Sequence, residues 1–162
     1  MGDSLWYPSV EDVLAIHEDI VAEYPDTPSG VRDRGDVEFA LAYIEGGHFG
    51  AAPESIHKKA YHLLRLLVVN HPFVDANKRS ALNTVAVFYF LNGYRFAYDE
   101  EIRTILKQFG TDERAVDESD VVEYLRTHTE ELDLAGEIER WREDLLQYGI
   151  EQLTGDSGDQ KD

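Results

Sequence analysis

Residues 71–83 read H-P-F-V-D-A-N-K-R-S-A-L-N, and this stretch decides the interpretation of the chain. Within nine residues it places one titratable base, one carboxylate, one amide and two cations, which are His71, Asp75, Asn77, Lys78 and Arg79. An apolar segment lies on each side, and packing alone does not require so many polar groups between two apolar segments. Such a set is typical of a site that holds a phosphate beside a proton acceptor.

The segments on both sides have the periodicity of buried helices. A first central helix is predicted from Pro53-Glu54 to about residue 71, where Pro72 ends it. A second is predicted over residues 77–92, where Gly93 caps its end. The stretch is therefore expected to connect two central helices of an all-α protein.

Further helices are predicted around this pair. Ser9 caps a first helix that ends at Tyr24-Pro25, and Asp36 starts a short helix that ends near Ile44. The glycine-rich residues 45–50 are predicted to form a β-hairpin or flap, because glycine is costly inside a helix. A short extended piece at 94–98 and three more helices follow, with apolar residues at helical spacing in 102–109, 121–125 and 134–148.

Three regions are predicted along the chain. Residues 1–126 form a catalytic domain, residues 127–153 a helical extension packed on it, and residues 154–162 a disordered tail. The extension carries a narrow apolar seam of heptad type. An extra packing helix is the first interpretation of this extension, while a homodimer seam and a shield over the site stay open.

The composition limits the partners. A net charge of −18 argues against nucleic acid as a ligand, since phosphate backbones require a basic face. The acidity resembles that of proteins from salt-loving organisms, and a surface made for a basic partner is the alternative. The chain has no cysteine, no apolar run near the roughly 20 residues of a membrane span and no signal-like start. We therefore expect a cytoplasmic protein without membrane contact.

The start of the second central helix is suited to an anion. Its first amide groups have no partner within the helix, and Lys78 and Arg79 lie in a turn where cations are disfavoured unless an anion binds. Asp75 can cap this helix or hold a Mg²⁺ that bridges phosphates, and Asn83 shares a helical face with Arg79. His71 can take a proton from a hydroxyl, so the set fits transfer from a nucleotide to an alcohol. The alternative is a His71 that binds a backbone group, with both cations solvated.

The order of the whole stretch closely resembles the signature of the Fic/Doc family. The adenylylating branch has H-x-F-x-[D/E]-G-N-G-R-x-x-R, and here Ala76, Lys78 and Leu82 replace its two glycines and its second arginine. The Doc branch has D-A-N-K-R-x-x-x-N, which residues 75–83 match in full. The resemblance covers about residues 10–125 and includes a G-x-R-D-x-G loop at 30–35, the flap at 49–50 and L-N-G-Y at 91–94.

This resemblance implies a helical bundle with a β-hairpin flap over the site, and a division of roles. It implies that His71 activates a hydroxyl of a protein target and that Asp75 organises Mg²⁺. The phosphates of ATP are held by Asn77, Lys78, Arg79 and Asn83, and the target is contacted by the flap residues Gly47, His48 and Phe49. In the Doc branch the lysine goes with phosphorylation of elongation factor Tu, a block of translation, and a small antitoxin that covers the site.

Two alternatives keep the fold. One is a protein adenylyltransferase, and the other is a non-catalytic module that uses the pocket to bind a partner. The inhibitory run [S/T]-x-x-x-E-[G/N] of many adenylylating relatives is missing, since Leu41 replaces its hydroxyl residue. Other residues are assigned no chemistry. We expect His17 and His128 at the surface, His57 and His62 on a helix surface or in a partner contact, and Trp6 and Tyr7 as anchors of the N-terminus.

Overall fold

The computed structural model describes residues 4–47 and 51–156, and this part of the chain is an all-α bundle, as predicted. It contains seven α-helices, a single 3₁₀ turn (Glu113–Ala115) and one two-stranded sheet. In chain order the elements are α1 (Val10–Glu23), α2 (Arg34–Gly46), α3 (Ile56–Asn70), α4 (Asn77–Leu91), β1 (Tyr94–Phe96), α5 (Glu101–Thr111), α6 (Glu118–Thr127), β2 (Thr129–Glu131) and α7 (Leu134–Asp156).

The bundle is built around α3 and α4. Helix α3 contacts α2, α4, α5 and α6, and it therefore needs apolar residues on more than one face. Helix α4 contacts α3 and β1, and α1 packs against it. The buried core includes Leu63, Leu64 and Leu67 of α3 and Val85, Phe88 and Tyr89 of α4. The loop between these two helices is therefore anchored at both ends by the best-packed part of the molecule.

Local sequence signals placed most helix ends correctly. Helix α1 is capped by Ser9 as predicted, α3 stops at Asn70 two residues before Pro72, and α4 begins at Asn77. The predicted start of α3 at Pro53-Glu54 is too early, because the Ser55 hydroxyl accepts from Lys58 N–H at 3.1 Å and so sets the first turn.

Helix α2 is longer than predicted at both ends. It begins at Arg34 instead of Asp36, because the Asp33 carboxylate accepts from Gly35 N–H at 2.9 Å. It also includes residues 45–46, so the prediction that the flap begins there is wrong. The chain turns at Gly47, whose φ is 72° and where a Cβ would lie 2.0 Å from the Ala51 carbonyl oxygen. Only glycine fits this close approach. The other flap residues, His48 and Phe49, lie outside the described residues.

The sheet pairs β1 with β2, which confirms the extended piece predicted after Gly93 for its first three residues. Contacts within the chain define two units, the first up to Glu130 and the second from Glu131. Helix α7 forms the second unit and continues to Asp156, so the predicted tail begins too early; its remaining residues, 157–162, lie outside the described part. No described helix combines the length and apolar character needed to cross a bilayer.

Candidate active site

The loop between α3 and α4 has a left-handed residue at each end. His71 has φ 49° and ψ 62°, Ala76 has φ 61° and ψ 28°, and no other non-glycine residue in the described ranges has positive φ. This conformation costs a residue with a side chain about 1 kcal/mol, and it persists where the surroundings impose it. Ala76 stands where the adenylylating signature has glycine, the residue that adopts this conformation without strain.

The loop is held from one side by the backbone of residues 30–33. The Pro72 carbonyl accepts from Arg32 N–H at 2.7 Å and from Asp33 N–H at 3.0 Å, and Val74 N–H donates to the Gly30 carbonyl at 3.0 Å. An antiparallel bridge joins Val31 to Phe73. The G-x-R-D-x-G segment, known from the sequence only as part of a resemblance, is thus a short strand-like support for the loop.

Asn77 holds the loop from within. Its Oδ1 accepts from Phe73 N–H at 2.9 Å, and its Nδ2 donates to the Phe73 carbonyl at 3.0 Å. Both ends of the amide are therefore used by one backbone unit, and the loop closes on the first residue of α4. In this structure Asn77 acts as a brace, while its predicted contact to phosphate stays a prediction.

His17 of α1 contacts the loop from the core side, and the prediction that it lies at the surface is wrong. It is 2% exposed, and its ring stacks on Phe73 with 3.8 Å between ring centres and 5° between planes. Its Nδ1 lies 2.9 Å from the Ser80 hydroxyl, and its buried Nε2 has no hydrogen-bond partner among the described residues. The spacing Val13, His17, Ile20, one face of α1, is the sequence signal that places it in the core.

Burial lowers the pKa of His17, and the nearby carboxylates of Glu18 and Asp75 oppose that effect. The neutral imidazole is favoured because a proton on both ring nitrogens would leave a buried N–H without an acceptor. The uncharged ring of His17 therefore contacts both Phe73 of the loop and Ser80, the fourth residue of α4.

The first turn of α4 differs from the other helix starts. Its N-cap, Ala76, offers no side-chain acceptor, and no acidic residue lies in its first turn. Asp75 accepts from Ala76 N–H at 2.7 Å, and this amide lies one residue before the helix. Of the two roles predicted for Asp75, capping of α4 is therefore wrong. At the other six helices a hydroxyl or carboxylate accepts from a first-turn amide, and these acceptors are Ser9, Asp33, Ser55, Asp99, Asp117 and Asp133.

Lys78 and Arg79 leave this turn in different directions, and both are exposed. The Arg79 guanidinium carbon lies 4.1 Å from the ring centre of Tyr24, and stacking leaves the N–H groups at its edge for a phosphate. Lys78 extends across Gly110 of α5, where a Cβ would lie 3.2 Å from the Lys78 Cε. Tyr24, predicted only as a helix end, and Gly110 are therefore neighbours of the site that the sequence did not identify.

Asn83 lies one turn beyond Arg79, and its Nδ2 donates to the Arg79 carbonyl at 3.1 Å. It also lines a cavity of about 510 Å³ between α1, α4 and β1, together with Asp19, Glu23 and Arg95. Its predicted contact to a phosphate stays a prediction, because these interactions place it beside the cavity as well as on the Arg79 face.

The residues of the loop fit a metal that arrives with its nucleotide. Asp75 is an exposed carboxylate; one of its oxygens accepts from Ala76 N–H, and the other accepts no hydrogen bond from the described residues. No group of three or more acidic, histidine or cysteine side chains in the described ranges is arranged to hold a metal ion. Mg²⁺ is usually held by one or two carboxylates together with substrate phosphates, so a single Asp75 matches Mg·ATP.

The histidines differ in their surroundings. His71 is the C-cap residue of α3, and its side chain is exposed. His57 and His62 are half-buried rather than on a helix surface: the His57 Nδ1 lies 2.9 Å from the Tyr89 hydroxyl, and the His62 Nε2 lies 3.3 Å from Glu118. Burial lowers the pKa of both. His128, predicted at the surface, is partly buried against Tyr124.

The N-terminal aromatics divide the predicted anchoring role. The Tyr7 ring stacks on Phe88 of the core with 5.6 Å between ring centres. The Trp6 side chain is 72% exposed, and the described residues hold its backbone through two hydrogen bonds to Asn92. The prediction is correct for the Tyr7 side chain and wrong for that of Trp6.

These features define a helical protein whose central helix offers an uncapped amino end and two cations to an anion, next to an exposed histidine. The sequence model of the Fic/DOC family matches residues 7–89, just over half of the chain, and the chain belongs to this family. Members of the family are transferases that modify proteins and use nucleotides as substrates. No curated protein matches the chain significantly.

Proposed function

We propose that this protein is a Doc-type toxin that transfers the γ-phosphoryl group of ATP to a hydroxyl of a translation factor similar to elongation factor Tu. Transfer blocks translation, and a small antitoxin protein covers the site until it is removed. The observation that carries the proposal is the first turn of α4, which contains Lys78 and Arg79 and whose amides donate to no described side chain. Cations in the first turn of a helix reduce its stability, and the same turn is favourable for binding phosphate.

The proposed reaction uses each residue of the loop for a simple task. His71 takes the proton of the target hydroxyl, whose oxygen forms a bond to the γ-phosphorus while the bond to the β–γ bridging oxygen breaks and ADP leaves. The α4 amides, Lys78 and Arg79 bind the phosphates, and Asn77 keeps the loop in shape. Bound Mg²⁺, held by Asp75, supplies charge neutralisation on the phosphates.

Phosphoryl transfer is favoured over adenylyl transfer by position 78. Residues 75–83 carry the D-A-N-K-R-x-x-x-N order of the Doc branch, and Lys78 fills space that a glycine there would leave open. Its ammonium group lies beside α5 near Gly110, so it adds both bulk and charge next to the amino end of α4. We infer that this cation selects the nucleotide orientation in which the γ-phosphate meets the hydroxyl.

The test is incubation with γ-labelled and, separately, α-labelled ATP in a lysate of the host, in molar potassium chloride. Label from γ-labelled ATP alone on one protein band supports the proposal. Label from α-labelled ATP on the same band means adenylyl transfer. A partner that is bound but never labelled by either nucleotide means a non-catalytic module.

The His71→Ala variant gives the largest effect expected in this molecule. Loss of a general base lowers transfer by roughly 10²–10⁴-fold, while the helical content and melting temperature stay those of the wild type because His71 is exposed. The matched control is His128→Ala, which removes another imidazole of the same unit and leaves transfer unchanged. Undiminished transfer by His71→Ala refutes the assignment of this residue as the base.

A further inference from the structure

Helix α7 exposes its large apolar side chains, whereas helix α5 buries its apolar row. In α5 the apolar row Ile102, Ile105, Leu106 and Phe109 is at most 6% exposed. In α7 all large apolar side chains described are between 52% and 75% exposed, and they are Leu134, Ile138, Trp141, Leu145, Leu146, Tyr148, Ile150 and Leu153. An apolar surface of this size on a soluble chain marks an interaction site.

Five of these side chains form one straight seam. Leu134, Ile138, Trp141, Leu145 and Tyr148 follow each other at intervals of four, three, four and three residues. This is the spacing at which the a and d positions of a coiled coil meet a partner helix. The helix that best complements such a seam is one with the same spacing, and a second copy of this chain supplies it. We propose that α7 is a dimerisation helix that forms a parallel two-stranded coiled coil with α7 of a second copy.

The available area reaches the lower limit for a specific dimer. Each seam side chain leaves on the order of 100 Å² open, so the seam offers about 500 Å² per copy and about 1,000 Å² in total, which is the smallest area expected of a specific interface. Leu146, Ile150 and Leu153 lie on the side of the helix that faces away from the seam, and they are not needed for this estimate.

The charges beside the seam favour the parallel orientation. Glu137 and Arg142 flank the seam on opposite sides, five residues apart, which is the separation that brings opposite charges together across a parallel pair. An antiparallel pair places Glu137 against Glu151, and Asp144 against its own copy, so like charges meet. In this structure Glu137 is already paired with Arg140 on the same helix; the Arg140 side chain is 66% exposed and that of Glu137 is 30% exposed, so a second partner can reach both.

Salt is part of the proposal because each copy carries a net charge of −18. Repulsion between two such copies is screened within a few ångströms at molar ionic strength, while contact between apolar side chains is retained or strengthened. We therefore expect the dimer to be tighter in molar potassium chloride than at low salt.

The first experiment is sedimentation equilibrium of the full chain over a range of concentrations in molar potassium chloride. The wild type is expected at twice its monomer mass of 18.5 kDa. Leu145→Glu places a charge in the seam and is expected to be monomeric, with unchanged helical content. Ile150→Glu is the matched control, since it places the same charge on the same helix outside the seam, and it stays dimeric. A monomeric wild type, or a dimer that survives Leu145→Glu, overturns the proposal.

The second experiment tests orientation at the lowest salt at which the fold is retained. Glu137→Arg and Arg142→Glu each turn two attractive pairs into two repulsive ones and should weaken self-association by roughly tenfold. When the two variants are mixed, opposite charges meet again and a heterodimer forms. If Glu137→Arg alone strengthens the dimer, the helices are antiparallel and the proposed arrangement is wrong.

Discussion

The first turns of α1 and α4 solve the same problem in opposite ways. At α1 the Ser9 hydroxyl accepts from Asp12 N–H at 3.0 Å and the Asp12 carboxylate accepts from Ser9 N–H at 2.8 Å, a complete capping box. At α4 a left-handed Ala76 offers no acceptor, and the first turn carries two cations. Capping and the helix dipole favour the first arrangement by about 1–2 kcal/mol. The comparison teaches that α1 begins in a way that stabilises the fold, whereas the first turn of α4 lacks this stabilisation and would gain it from a bound anion.

Reversing one charge in each turn is the strongest test of this difference. Lys78→Glu should raise the stability of the free protein by about 0.5 kcal/mol and remove the stabilisation by Mg·ATP, which for the wild type is about 2.7 kcal/mol at a ligand concentration 100 times Kd. Asp12→Lys should lower stability by about 1 kcal/mol and leave the effect of Mg·ATP intact. Chemical denaturation with and without Mg·ATP measures both. A Lys78→Glu protein that Mg·ATP still stabilises fully contradicts the assignment of α4 as the anion site.

The second prediction concerns what replaces the missing cap. Asn77→Ala removes both hydrogen bonds to the Phe73 backbone and leaves a half-buried N–H and C=O without their partner, at a cost of about 2 kcal/mol. Asn83→Ala is the matched control in the same helix, because it removes a single bond to a carbonyl and should cost about 0.5 kcal/mol. Urea denaturation of the two variants compares them directly. Equal losses mean that Asn77 is not the brace of the loop.

Local signals explain how much of this fold the sequence could predict. Ser9, Pro72 and Gly93 each act on their own neighbours, and the helix ends next to them were predicted correctly. The start of α2 was missed because Asp33 and Asp36 are both possible caps by residue type, and only the geometry of the preceding loop selects Asp33.

Non-local contacts explain what the sequence could not predict in the site. The pairing of residues 30–33 with 72–74, and the stacking of His17 on Phe73, join segments that are far apart in the chain. The composition of the loop indicated phosphate, yet an amide such as Asn77 can bind a phosphate or a backbone unit, and residue type does not distinguish the two. The pattern thus named the residues of the candidate site, and only the structure shows that Asn77 braces the loop.

The third prediction uses His17, which links the two helices. Its folded-state pKa lies below the unfolded value of about 6.5, so stability is complete above that pH and falls as the pH drops through the window down to the lowered folded-state pKa. His57 and His62 have pKa values lowered in the same direction and act in the same window. Each contributes a slope of at most about 1.4 kcal/mol per pH unit.

His17→Phe keeps a ring against Phe73 and removes the titration. The measurement is the free energy of unfolding from pH 7 to pH 5 for the variant and the wild type. We expect the free energy of unfolding to fall less steeply with decreasing pH in the variant, because the contribution of one of the three histidines is removed. Identical slopes mean that His17 is protonated as easily in the folded protein as in the unfolded chain, and that the α1–α4 link does not depend on a neutral ring.

The smallest expected effect comes from the different backbone conformations of the two N-cap residues, Ser9 of α1 and Ala76 of α4. Ser9 is extended, with φ −81° and ψ 168°, whereas Ala76 is left-handed, so glycine relieves strain only at position 76. Ala76→Gly gains about 1 kcal/mol in the folded state and loses about half of that through the added freedom of the unfolded chain. Ser9→Gly gains nothing in the folded state and loses its hydroxyl acceptor, so it lowers stability by a few tenths of a kcal/mol, as is typical when glycine replaces a capping residue. Introducing glycine at these two N-cap positions is therefore expected to change the free energy of unfolding in opposite directions, which denaturation experiments measure. If Ala76→Gly also lowers stability, then the left-handed conformation of Ala76 is not strained. In that case the hydrogen bonds that hold the loop do not compensate for any backbone strain at this position.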